Sequence, residues 1–379
     1  PELAVPNSGS GDISVLVNNG NGTFQTQVRY PVGKAPSSIA AADFNGDGHP
    51  DLVVANAGSG DVSVLVNSGD GSFQTQVRYT TGKGPISVTV VDLTGDNHPD
   101  IAVANSESDD VSILVNNGDG TFEAQLCYNT GYGPSSIAVA DFNGDGPLDL
   151  AVANFGTDDV SVLVNNGDGT FQTQVRYPVG KAPSSIAAAD FNGDDYPDLA
   201  VTNWWDNYVS ILVNNGDGTF QTQVQYRVMN LSTSVVATDL NADDNPDLVG
   251  VGVDAERIWV FMNKGDGTFR FHSYYFAGHR PQSVVAMDLT GDRYPDLAVV
   301  IANMGAGNIS VLVNNGDGTF QSPRYYLAGS SPKSIVATDF TGDGKPDLAL
   351  ANTKSDDISV LVNNGNGTFG TQMRYPVGD

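Results

Sequence analysis

Seven short segments of this chain concentrate its carboxylates. Each reads Asp-x-Asn/Thr-x-Asp-x-x-x-Asp, and they begin at Asp43, Asp92, Asp141, Asp190, Asp239, Asp288 and Asp339. Alternate positions offer side-chain oxygens, the seventh a backbone carbonyl and the ninth a carboxylate able to bind in bidentate fashion, which is the ligand order of a calcium loop. Hard oxygen donors without thiolate or clustered imidazole favour Ca²⁺ over zinc or copper. In the first segment the set is Asp43, Asn45, Asp47, the backbone of His49, and Asp51. The same set recurs as Asp92, Thr94, Asp96, His98 and Asp100, and as Asp141, Asn143, Asp145, Pro147 and Asp149. It continues as Asp190, Asn192, Asp194, Tyr196 and Asp198, then Asp239, Asn241, Asp243, Asn245 and Asp247. The last two are Asp288, Thr290, Asp292, Tyr294 and Asp296, and Asp339, Thr341, Asp343, Lys345 and Asp347. The fifth loop departs most, with Ala242 and Asp244 replacing both glycines, and the sixth brings Arg293 near the ion. Up to seven structural Ca²⁺ ions are expected.

The segments start 49 residues apart five times and 51 the last time, so each marks one position in a repeated unit. A regular repeat makes the whole chain, residues 1–379, one array, because a single repeat cannot bury its own core. The unit around Asp141 reads as four strands: Ser136 to Phe142, Asp149 to Asn154, Asp159 to Asn165 and Phe171 to Tyr177. The middle two are rich in Val and Leu, as expected for strands covered on both faces. The fourth is expected to turn Phe171, Val175 and Tyr177 inward and Gln172, Gln174 and Arg176 outward. The third and fourth are joined by Asn-Asn-Gly-Asp-Gly-Thr-Phe, a tight hairpin. Its acidic member (Asp119, Asp168, Asp217, Asp266 or Asp317) reads as a turn residue, since Asn21 and Asn366 replace it. Four-stranded units at this period form a β-propeller rather than a helical solenoid.

The repeat resembles the FG-GAP/VCBS family, the unit of the integrin α-subunit propeller, through DFNGDGHPDLVVAN and VNNGDGTF. The resemblance covers essentially the whole chain. It implies an all-β propeller whose calcium loops join the first two strands of each blade. It implies no single function, since similar propellers include adhesion modules and lyases.

Seven metal loops accompany eight hairpins, which end at Phe24, Phe73, Phe122, Phe171, Phe220, Phe269, Phe320 and Phe369. Residues 1–30 align with the second to fourth strands, with Glu2 in place of the final loop Asp. Eight repeats exceed this chain by about one strand and its loop. The expectation is therefore eight blades with one incomplete; the alternative is seven blades plus an N-terminal overhang. An open strand edge also invites self-association.

The net charge of −27 lies largely in these loops, and seven Ca²⁺ ions would offset fourteen of those charges. No basic patch counters this field, so nucleic acid is not an expected partner. Cys127 is the only cysteine, which rules out an intrachain disulfide; it reads as a small core residue. No apolar run is long enough to insert in a membrane and no signal peptide is recognisable. The chain opens inside a repeat, as a processed or truncated form would. Calcium loops suit the millimolar calcium outside cells, so a secreted or surface location is expected. Sequons at Asn21, Asn230, Asn308 and Asn366 matter only in a eukaryotic secretory host.

The repeats depart from pattern at Trp204–Tyr208, Arg227–Leu231, Asp254–Arg257 and Phe276–Arg280. In up-and-down blades these loops all fall on the face opposite the calcium loops. Trp204, Trp205, Tyr208, Arg257, His279 and Arg280 are thus the candidate ligand patch, suited to stacking on sugar rings or anchoring a protein. No convergent acid, base and nucleophile is evident. His272 and His279, with Tyr274 or Tyr275, are the residues an enzyme could draw on, and His272 reads as an exposed outer-strand position. The expected function is a non-enzymatic adhesion or recognition module for protein or glycan; a structural scaffold and a carbohydrate-active lyase are the alternatives.

Overall fold

The structure, a computed structural model, describes residues 2–228, 231–301 and 307–378. Pro1, the sequon at Asn230 and part of the Arg227–Leu231 segment lie outside the described residues. Eight antiparallel sheets follow one another along the chain, each a meander in sequence order. Blade one has three strands, Leu3–Asn7, Asp12–Leu16 and Val28–Pro31, and the other seven have four. Blades two to eight begin at Pro36, Pro85, Pro134, Pro183, Ser232, Pro281 and Pro332. This is an all-β, eight-bladed propeller with one incomplete blade, which excludes a seven-bladed ring carrying an overhang. Among the described residues no helix is long and apolar enough to cross a membrane.

Each strand follows from its composition. The second strand of blade four, Asp149–Asn154, and the third, Asp159–Leu163, are buried along their whole length, because sheets on both sides cover them. The first strand spans Pro134–Ala140, two residues earlier than its composition suggests. The outer strand is shorter than expected, Val175–Pro178, and Phe171 is held separately by a bridge to Asn165. Phe171 is buried but Val175 is 49% exposed, so the expected inward face breaks after the phenylalanine, where the chain leaves the ladder. Cys127 is corrected likewise. It lies exposed on an outer strand, at the position where Arg78 and Arg176 ion-pair with Asp61 and Asp159 in neighbouring blades. Partial burial of the sulfur, and then the nearby Asp110, push its thiol up to about 11.

The core is divided among the interfaces. Eight apolar clusters each join two adjacent blades, and one of them, with Leu3, Leu16 and Phe24 against Phe340, Ile358 and Val360, closes the ring between blades one and eight. Polar bonds repeat at the same interfaces. The hairpin Asn of one blade donates through Nδ2 to a loop carbonyl of the preceding blade, as Asn165 does to Leu93 O at 2.8 Å and Asn214 to Phe142 O at 2.9 Å. Asn18 makes the closing copy of this bond to Phe340 O, at 2.8 Å. The hairpin Phe N–H in turn donates to a tyrosine hydroxyl of the preceding blade: Phe171 to Tyr128 and, at closure, Phe24 to Tyr375, both at 3.1 Å.

Blade six repacks one position. Trp259 stands where other blades carry a buried serine, and its strand partner is Gly250. A Cβ on Gly250 would lie 2.0 Å from the Trp259 ring, so the small residue makes room for the large one.

Removing a hydroxyl that accepts a buried N–H should cost about 1–3 kcal/mol. Tyr128→Phe and Tyr375→Phe should therefore destabilise the protein by similar amounts in chemical denaturation. A closing interface weaker than the internal ones would appear as a much smaller loss for Tyr375→Phe.

Candidate functional site

The loops that join first and second strands share one face with the hairpins. In the first of them the Asp43 carboxylate accepts N–H groups from Gly46, Asp47 and Gly48 at 2.7–3.2 Å. Asn45 Oδ1 accepts from Asp47 N, and Asp47 Oδ1 accepts from His49 N. Gly46 and Gly48 hold positive φ angles of 72° and 83°, which curl the backbone around the first carboxylate. The ninth residue is a pin. Asp51, fully buried, accepts Phe44 N at 3.0 Å on one oxygen and Asn67 N at 2.7 Å on the other, tying the loop to its own hairpin. Asp149 does the same with Phe142 N and Asn165 N.

These pins are electrostatically costly. Burial pushes the Asp149, Asp198, Asp247 and Asp296 carboxyls up to about 6. The two N–H bonds oppose that rise, and the charges of the first and fifth loop residues, Asp141 and Asp145 for Asp149, add to it. Side chains at the seventh position lie against the hairpin glycine: His49 against Gly69, His98 against Gly118, Tyr196 against Gly216, Tyr294 against Gly316. Among the described residues, no three of His, Cys, Asp and Glu form a ready-made metal cage; the loops satisfy themselves with their own N–H groups. The donor set still fits a hard cation: three oxygen-bearing side chains within five residues, and a fourth donor, the ninth-position carboxyl, whose burial leaves its charge poorly solvated. Arg293, for all its charge, uses its backbone N–H to hold Asp288 like the residue it replaces. The hairpin Asp119 accepts both the N–H and the hydroxyl of Thr121, and Asn366 does so with Thr368, so the turn works with or without a charge.

On the opposite face the candidate patch divides in two. Trp205, 65% exposed, meets the Phe155 ring edge-on with centroids 5.5 Å apart. Trp204 and Tyr208, in the same segment, are half-buried. Phe155 belongs to blade four, and Gly156 after it lies against Tyr132, which is 66% exposed. Phe155 and Trp205 thus form an aromatic run of two rings in contact across blades four and five, with the exposed Tyr132 in the adjoining loop. Tyr132 and Phe155 were not among the expected residues, yet their signal was present: Tyr132 stands where Lys34, Lys83 and Lys181 stand in other repeats, and Phe155 where Ala57 and Ser106 do. The second group surrounds Glu256, whose Oε1 lies 2.6 Å from His279 Nδ1, with Arg257 and Arg280 exposed nearby in sequence. Among the described residues no hydrogen bond or ring contact links the two groups.

His272 departs from expectation. It is half-buried and lines a cavity of about 320 Å³ with Lys264, Arg270, Asp243 and Asp317, on the metal-loop face. Burial, then the Arg270 charge, hold its imidazole below the ordinary range.

Six stretches of the sequence, residues 1–54, 43–103, 92–152, 143–201, 239–299 and 288–350, match the FG-GAP-like repeat. No curated protein is similar enough in sequence to count as a relative. Solved structures share the fold at low identity. An Agrocybe aegerita lectin that specifically recognises non-reducing terminal N-acetylglucosamine is 21% identical, with a TM-score of 0.54 over 98% of this chain and 89% of that one. The Pseudomonas aeruginosa periplasmic gluconolactonase is 18% identical, at 0.59 over 88% and 97%. A virginiamycin B lyase from Staphylococcus aureus is 14% identical, at 0.54 over 84% and 92%.

The fifth loop carries its left-handed turns on Ala242 and Asp244, at φ 59° and 65°. Such a conformation costs a non-glycine residue roughly 1–2 kcal/mol. Ala242→Gly should therefore raise stability by about 1 kcal/mol in urea unfolding, and a neutral or destabilising result would count against strain at that site.

Proposed function

The chain belongs to the FG-GAP-like repeat family, and from that premise we propose that it is a calcium-stabilised extracellular recognition module that binds glycans on the face away from its metal loops. The observation that carries this reading is the exposed ring pair of Phe155 and Trp205, with the exposed Tyr132 in the adjoining loop. Aromatic faces backed by a rigid sheet stack on the apolar faces of sugar rings with little loss of side-chain freedom. Trp204 and Tyr208, in the same loop as Trp205, are half-buried. Binding rather than catalysis is the role proposed, because the loop carboxylates are committed to backbone N–H groups and the aromatic run holds no paired acid and base.

Calcium belongs to the stability half of the proposal. The residues that would hold it are the first, third, fifth and ninth of each loop, with the seventh contributing its backbone. The ion would neutralise carboxylates that otherwise repel, and because it binds the folded loop it adds to folding free energy by mass action. The chain's own residues do the remaining work: the first Asp shapes the loop and the ninth fastens it to the hairpin.

Excess EGTA should lower the melting temperature by at least about 5 °C, and added Ca²⁺ but not Mg²⁺ should restore it. An unchanged melting curve would remove the metal from the account. Truncating a central aromatic anchor typically costs about 2 kcal/mol or more of binding. On a glycan array Trp205→Ala should weaken any bound sugar by about thirtyfold while leaving the melting temperature nearly unchanged. Glycan binding untouched by both Trp205→Ala and Tyr132→Ala would overturn the placement of the site.

A further inference from the structure

Four substitutions in blade six gather at one cavity. Met262 stands where the other seven blades have valine, Lys264 where six have asparagine, Arg270 where five have glutamine, and His272 where six have glutamine. All four line the cavity of about 320 Å³ on the metal-loop face, together with Asp243 of the same blade and Asp317 of blade seven. No other blade carries a basic residue at the Lys264 or the Arg270 position.

The strand that carries Arg270 and His272 is also built differently. In five blades the third-strand serine donates to the glutamine at the His272 position, as Ser161 does to Gln174 at 2.5 Å. Trp259 replaces that serine and removes the donor. The outer strand of blade six stays in the ladder over eight residues, Phe269–Phe276, where every other blade pairs only four. His272 is the extra residue at its register shift, opposite Val260 and Phe261, and a bulge of this kind re-aims its side chain. The grip between blades is kept: Asn263 Nδ2 reaches Phe191 O at 2.9 Å, and Phe269 N donates to the Tyr226 hydroxyl at 3.1 Å. The departures thus fall on positions that ring closure does not use.

The polar groups of the cavity divide into donors and acceptors. Arg270 is exposed, and Lys264 Nζ donates to the Thr268 hydroxyl at 3.2 Å. Among the described residues neither cation forms an ion pair with a carboxylate. Both oxygens of Asp243 are taken within its own loop, by Asn241 and Asn245. Asp317 Oδ1 accepts the N–H and the hydroxyl of Thr319 at 2.9 and 2.5 Å, while among the described residues its Oδ2 accepts no hydrogen bond. What remains for a ligand is two cations and one carboxylate oxygen. That combination suits a small molecule with a single carboxylate and hydroxyl donors. We propose that this cavity binds a sugar acid, such as a hexuronic acid unit of a glycan. Arg270 and Lys264 take its carboxylate, the guanidinium fork matching the two oxygens. Asp317 Oδ2 accepts from a ring hydroxyl, and Met262 forms the apolar floor. The site lies apart from the aromatic face and does not rest on that reading.

The test is a titration of the full chain, in calcium buffer, with the methyl glycoside of glucuronic acid, followed by calorimetry and amide NMR. Methyl glucoside, acetate and the zwitterion glycine are the comparison ligands. The expected result is saturable one-to-one binding that shifts the amides of Lys264, Arg270 and Asp317, with all three comparison ligands weaker by about tenfold or more. Arg270→Gln and Lys264→Asn restore residues that most other blades carry, so both should keep the wild-type melting temperature. Each should weaken the sugar acid by about tenfold. Asp317→Asn keeps a turn that Asn21 and Asn366 already make and should weaken it roughly fivefold. Absence of saturable binding, equal affinity for methyl glucoside, acetate or glycine, or affinity unchanged in Arg270→Gln would each overturn the proposal. So would binding lost in Trp205→Ala but kept in Arg270→Gln, since the acid would then sit on the aromatic face.

Discussion

Everything in this molecule depends on how one blade grips the next. A four-stranded sheet with apolar residues on both faces has no stable existence alone, and its neighbours must cover it. The cover here is more than apolar contact. At each complete interface a hairpin asparagine crosses to the preceding blade's loop carbonyl and a phenylalanine is inserted between the blades against a tyrosine of the preceding outer strand, whose hydroxyl takes the phenylalanine's N–H in four of them, at Phe24, Phe122, Phe171 and Phe269. The asparagine and the phenylalanine belong to one hairpin, and the tyrosine stands 43 residues before that phenylalanine on the preceding outer strand, so one short motif and its neighbour set both the distance and the rotation between blades. Repeated to closure, with Asn18 on Phe340 and Phe24 on Tyr375, it removes the free outer edges an open array would leave.

The metal loops are subordinate to that grip. The carbonyl that each hairpin asparagine seizes, such as Phe142 O, belongs to the second residue of a loop. The same residue's N–H is held by the ninth-position carboxylate, Asp149. A loop that lost its shape would therefore misplace an acceptor in the next blade, and local disorder would spread around the ring. This explains why a buried carboxylate persists despite its raised pKa: its two oxygens align loop and hairpin at once, which an uncharged side chain of the same size would do less firmly. A bound cation, as proposed, would oppose the repulsion this arrangement accumulates.

Much of this was legible in the sequence, because a repeat shows each position eight times over. The spacing of Asp43, Asp92 and their successors gave the blade, and the excess of hairpins over loops gave the open one. Strand edges were less readable. Val175 continues the alternation of its segment yet ends up exposed, because the backbone leaves the ladder after Phe171 and alternation cannot register that break. Cys127 looked like core for the same kind of reason: its type favours burial, while its position belongs to an arginine that pairs across an outer strand. The aromatic run was partly visible. Trp204 and Trp205 stood out as a cluster, whereas Tyr132 and Phe155 are single substitutions in separate loops, and only the topology of adjacent blades brings Phe155 against Trp205 and Tyr132 next to Gly156.

The two faces of the ring are free to vary to different degrees, and this determines where recognition can arise. On the face away from the metal loops, blades one, two, four and eight carry a second device in which an outer-strand arginine pairs with the aspartate that opens the third strand, as Arg176 does with Asp159. Blades five, six and seven replace that aspartate with Tyr208, Arg257 and Asn308, and the ring holds together without it. The inter-blade grip is untouched there, since Asn214, Asn263 and Asn314 still cross to their neighbours. Substitutions on this face therefore alter one blade's trim without loosening any interface. A change in the metal-loop motif would disturb two blades at once. Diversity in Trp204–Tyr208 and around Glu256 is what such an asymmetry permits, and the recognition proposed for this face would fall where the ring's stability is least at stake.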